Sequence, residues 1–118
     1  MHPNTRACLA YIASKLVNES TSAFVYDYSQ FKRLNISGSV DPTNVSLYDH
    51  ERCCHITGPL SNLYDHDQKG YVSLSISGCR LSGYDFAGSH QFCGSVDGYS
   101  VTILEIGTSN RFCYQCSS

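Results

Sequence analysis

The dipeptide Tyr-Asp recurs along this chain in a way that dictates most of its fold. "VYDY" runs from Val25 to Tyr28, "LYDH" from Leu47 to His50 and again from Leu63 to His66, and "GYDF" from Gly83 to Phe86. The Asp residues stand at 27, 49, 65 and 85, and Glu105 holds the next equivalent place, so successive acids lie 22, 16, 20 and 20 residues apart. Each Asp is followed by a polar turn and then by a segment closing on glycine: "ISG" to Gly38, "ITG" to Gly58, "ISG" to Gly78 and "FCG" to Gly94. The acid-to-glycine offsets are 11, 9, 13 and 9, all odd. Residues opposed across a hairpin with an even loop are an odd number apart and share a face, so one register suits every copy. The reading is a β-hairpin unit of about 20 residues, present four times with a degenerate fifth.

Alternation within the units supports strands. "VSLYDH" sets Val45, Leu47 and Asp49 on one face against Ser46, Tyr48 and His50. "YVSLSISG" sets Val72, Leu74 and Ile76 against serines, and "YSVTILEI" sets Val101, Ile103 and Glu105 together. A period of two is the mark of half-buried antiparallel strands. Asp and the residue after it therefore point to opposite faces. An Asp before a turn can accept backbone N–H groups of that turn.

The first twenty residues differ. Leu9, Ile12, Ala13 and Leu16 follow helical spacing, with Asn4 or Thr5 as the cap, which predicts a helix from about Thr5 to Asn18. Its stripe needs a partner, and the aliphatic strand face supplies one. The expectation is a single α+β domain over 1–118, with the N-terminal helix in 1–20 and β-hairpin repeats in 22–116. The helix packs on a curved antiparallel sheet or small barrel; a β-solenoid or prism with a helical cap is the alternative.

Composition bounds the function. The net charge is −2 and charged residues make up 15% of the chain, against an ordinary ~25%. So weak a field disfavours nucleic acid and anionic membrane surfaces, and no apolar run approaches the roughly 20 residues of a membrane helix. A surface poor in charge favours self-association. The seven cysteines, an odd number, follow no signal-like segment. A cytoplasmic protein with reduced thiols is expected.

The "VYDY", "LYDH", "LYDH" and "GYDF" segments, with their glycine-terminated return strands, resemble a group of small uncharacterised bacterial proteins. Those repeat Y-D-[YHF] and I-S-G hairpins, and some are encoded on mobile integron gene cassettes. The resemblance spans about Phe24 to Tyr114 and departs at "LEI". It implies a repeat β-fold and a bacterial accessory role, and it carries no activity or site residue.

Two functional readings follow. The first is a non-catalytic interaction or binding module of unknown specificity that self-associates. Its contact or ligand surface would be a Tyr/His-rich face formed by Tyr26, Tyr48, Tyr64 and Tyr84 with Tyr28, His50, His66 and Phe86. Aromatic rings beside hydroxyls suit another copy of the chain, a small polar ligand, a sugar or a peptide. The second is a small hydrolase or lyase using Asp and His from neighbouring hairpins, such as Asp65 with His55 or His90. No cofactor is expected. A zinc site from Cys53, Cys54, Cys113 and Cys116 is the metal candidate, weakened because adjacent strand residues diverge.

Overall fold

The computed structural model describes residues 1–18 and 24–117. One helix, α1 (Pro3–Asn18), precedes the strands β1 (Phe24–Asp27), β2 (Lys32–Asp41), β3 (Asn44–Asp49), β4 (Cys54–Gly58) and β5 (Leu63–Asp65). β6 (Gly70–Ser77), β7 (Arg80–Asp85), β8 (His90–Asp97), β9 (Ser100–Glu105) and β10 (Asn110–Ser117) follow. Every strand pairs antiparallel with the next, and β10 pairs back onto β1, so the sheet closes into a barrel. The expected boundary between the helical segment and the repeats, at residues 20–22, lies outside the described residues.

Closure settles the fold between the expected alternatives: an α+β barrel, not a solenoid or prism. It also corrects the place of the helix. All residues from Asn4 to Ser14 are buried, which no helix resting on a sheet can achieve. The helix runs inside the barrel. Eight strands enclose only their own side chains, and ten leave room for a further element. Small residues make this helix thin enough: Ala7, Cys8, Ala10, Ala13 and Ser14 are each fully buried. Around it stand the inward strand residues, among them Val25, Leu34, Ile36, Val45, Leu47, Val72, Leu74, Phe92, Val101 and Ile103. The aliphatic face thus meets the helix as expected, but from all sides rather than along one stripe.

The helix begins earlier than its side chains suggest. Pro3 occupies the first turn, where its missing N–H costs nothing. His2, not Asn4 or Thr5, supplies the cap: Asn4 N–H donates to His2 Nδ1 at 3.0 Å. The side chains of Asn4 and Thr5 are thereby free to reach the barrel wall. This helix is not long and apolar enough to cross a membrane.

Two of the unit-closing glycines stand where a neighbouring strand's backbone comes close. A Cβ on Gly38 would lie 2.0 Å from the Ser46 carbonyl oxygen, and one on Gly94 would lie 2.0 Å from that of Thr102. The neighbouring backbone fills the place of the side chain there, which lets the strands bend tightly.

Candidate functional site

The acids of the Tyr-Asp motif gather at one end of the barrel, on its inner side. Asp27, Asp49, Asp65 and Asp85 end β1, β3, β5 and β7, Glu105 ends β9, and all five are at most 5% exposed. Each Asp accepts the backbone N–H two residues on. Ser29 and Glu51 donate at 2.9 and 3.0 Å, and Asp67 and Ala87 at 3.0 and 3.2 Å. The turn reading of the motif is therefore met at the level of geometry.

The second carboxylate oxygens tie the turns to the helix. Asn4 donates to Asp49 Oδ2 at 3.1 Å, and the Thr5 hydroxyl donates to Asp65 Oδ2. Arg52 spans two strands, with Nε 2.7 Å from Asp49 and Nη1 3.0 Å from Asp65. Burial works against its charge, but the hydrogen bond to Asp49 and the Asp65 carboxylate outweigh this and hold its pKa above the ordinary guanidinium value. Arg6 points the other way along the mouth. Its Nη1 lies 3.0 Å from Glu105, its Nε donates to the Tyr114 hydroxyl at 2.7 Å, and its guanidinium stacks 3.4 Å over Phe112. Sequence patterning missed Arg6 and Arg52, since neither belongs to a repeated motif.

A cavity of about 200 Å³ opens at this mouth, lined by His2, Thr5, Gln68, Asp85 and Gly88, among others. Burial, then the nearby Arg52 charge, lowers the pKa of His2. His90 lies opposite Asp85 in the β7–β8 register and so shares its face. Gly88 sits between the two: a Cβ there would fall 2.8 Å from the His90 ring and 2.9 Å from Asp85 Oδ2. The expected pairing of Asp65 with His55 is not formed. Asp65 is buried while His55 is exposed on the outside, one residue out of step with Ile56, the partner of Asp65.

The outer face carries the tyrosines. Tyr26 meets Tyr28, Tyr48 meets His50, Tyr64 meets His66 and Tyr84 meets Phe86, edge to face, with centroids 5.0, 4.8, 4.8 and 4.8 Å apart. All four predicted pairs are thus in contact. Only some of these pairs join into a continuous ladder of rings. It runs continuously from His50 through Tyr48, His55, His66 and Tyr64 to Tyr71, across β3 to β6. Tyr26 with Tyr28 and Tyr84 with Phe86 stand apart as separate pairs. His55 and Tyr71 were missed because they lie in the return strands, but the hairpin register finds them: Tyr48 opposes His55 and Tyr64 opposes Tyr71.

Hydroxyls fix two of the imidazoles. Ser37 Oγ lies 2.8 Å from His50 Nε2, and Thr57 Oγ1 lies 3.0 Å from His66 Nε2. A hydrogen bond with the Cys53 thiol raises the Tyr48 pKa above the ordinary phenol value. Tyr28, Tyr71 and Phe86 are between 45% and 57% exposed, large values for rings with apolar faces.

The cysteines of the zinc candidate do not converge. Cys116 is buried and Cys113 exposed, since three steps along a strand reverse the face, and Cys53 is exposed in a turn. Among the described residues no group of three or more His, Cys, Asp or Glu side chains is placed to hold a metal ion. No protein-family model, curated protein or solved structure matches the chain.

Proposed function

We propose that this chain is a non-catalytic interaction module that self-associates through the Tyr/His ladder on the outside of β3 to β6. One observation carries the reading. The residues that face solvent in the motif are rings packed on one another, while its acids are internal and engaged in turns. Rings held by their neighbours lose little freedom on contact, and Tyr is enriched at the centres of interfaces. A closed barrel has no unpaired strand edge among the described residues, so association has to use side chains of the outer face. The low surface charge imposes little repulsion between copies. The ~20-residue hairpin unit, a cytoplasmic setting and the accessory bacterial role implied by the resemblance belong to the same proposal.

The test is the mass of the protein in solution. The wild type should run above the mass of one chain, and Tyr48→Ser with Tyr64→Ser, both in the ladder, should lower it. A strictly monomeric wild type would remove self-association. Binding of a small polar ligand, sugar or peptide to the ladder would then be sought by titration.

A second reading has its own observation. Asp85, with His90 beside it and His2 across a cavity, offers a carboxylate and imidazoles in one concave place, as acid–base chemistry requires. The catalytic alternative is therefore moved from Asp65 to Asp85. Hydrolysis or elimination that disappears in His90→Gln would favour it over the first reading.

A further inference from the structure

The barrel's far flank carries a second surface, unrelated to the Tyr-Asp motif. On the outside of β6 to β10, Arg111 opposes Leu104, Leu104 opposes Cys93, and Cys93 opposes Ser82. In the adjoining row Arg80 opposes Ser95, and Ser95 opposes Thr102. The side chains between the two arginines are small, so they form a floor, and the arginines stand at opposite ends. The resulting trough encloses about 650 Å³.

The two arginines are distinguished from the others of the chain. Arg6 and Arg52 are held in buried ion pairs, and Arg33 stacks 4.6 Å over Phe24. The side chains of Arg80 and Arg111 make no ion pair or hydrogen bond with any described residue. No carboxylate lines the trough. It is a cationic site in a chain of net charge −2, so its charge is local rather than a general attraction.

We propose that this trough binds a linear acidic oligosaccharide, Arg80 and Arg111 each taking one of its carboxylate or sulfate groups. A guanidinium offers a planar fork of donors that matches such groups. Serine and threonine hydroxyls both donate and accept, as sugar hydroxyls do, so the floor complements a sugar chain along its length. Leu104 and Cys93 offer apolar contact for ring C–H groups. Three strand steps set the two arginine backbones about 15 Å apart along the sheet, which leaves room for sugar units between the side chains. No aromatic ring lines the trough, so a nucleobase finds nothing to stack on. The closed sheet offers an extended peptide no strand edge to pair with.

The experiment titrates the full chain with two probes, a hexamer of galacturonic acid and a sulfated hexasaccharide. A neutral hexasaccharide, a poly-glutamate peptide and single-stranded DNA serve as comparisons. At least one acidic sugar should bind, with affinity falling as salt rises. Arg80→Gln and Arg111→Gln should each weaken it by about tenfold or more. Arg33→Gln, on the outer face elsewhere, should leave it unchanged. No binding of either acidic sugar at millimolar concentration overturns the site. Equal affinity for the peptide or the DNA overturns the sugar assignment, and indifference to both arginine substitutions overturns the location.

Discussion

Arg6 Nη1 lies 3.0 Å from Glu105 Oε1, a pair with side chains no more than 7% exposed that joins the internal helix to the end of β9. The pair accounts for the departure of the fifth acid from Asp. Asp49 and Asp65 meet Asn4, Thr5 and Arg52, whereas the longer Glu105 side chain meets Arg6 on the next part of the helix. Continuity of the arrangement then runs from Glu105 through Arg6 to the Tyr114 hydroxyl on β10.

Removing Arg6 leaves Glu105 buried with only the Met1 ammonium, 3.6 Å away, to offset its charge. Arg6→Met is expected to cost about 3–5 kcal/mol in urea denaturation. Adding Glu105→Leu should restore much of that loss, because two apolar residues need no pairing. An additive loss in the double variant would show that the two side chains act independently.

The glycines separate by what surrounds them. Gly94→Ala forces a Cβ onto the Thr102 carbonyl and should cost about 1–3 kcal/mol as an overpacked contact. Gly98, with φ +59° and open space around its missing Cβ, needs only left-handed backbone. Gly98→Asn should therefore change stability by less than about 1 kcal/mol, since Asn tolerates that region. The unfolding midpoints of the two variants test the contrast.

Alkaline pH should unfold the protein through its buried neutral groups. Burial pushes the Cys116 thiol up to about 11, with the Ser14 hydroxyl pulling weakly the other way, and raises Cys8 and Tyr114 further. The folded state keeps these protons where the unfolded state has lost them. Stability is thus complete below the unfolded thiol value near 9 and is lost as pH rises through the folded one. Each such group contributes a slope of roughly 1.4 kcal/mol per pH unit within its window. Urea midpoints measured from pH 8 to 11 should fall, and Cys116→Ala should flatten part of the fall. A level profile would contradict the buried thiol account.

Much of this architecture was legible because strand alternation has only two outcomes. Once Val45, Leu47 and Asp49 shared a face, burial of that face placed Asp49 inside and His50 outside. The enclosure of the helix was harder to read. Alternation says which face is apolar and is silent on how far the sheet curves. The signal was present in the unbroken apolar run from Ala7 to Ala13, which leaves no polar side for water, and the four-residue stripe understated it. Arg6 and Arg52 were invisible for a different reason: a lone charged residue carries no period. The ladder was half seen, since His55 and Tyr71 join it through cross-strand pairing, which no single motif displays.

The most direct test of the Tyr/His face is the concentration dependence of the histidine side-chain NMR signals. His50, His55 and His66 lie in the ladder, whereas His2 and His90 lie at the barrel mouth. Between micromolar and millimolar protein, the signals of the first three should shift or broaden together while those of His2 and His90 stay fixed. Signals that do not change with concentration, or changes confined to His2 and His90, would contradict self-association through the ladder.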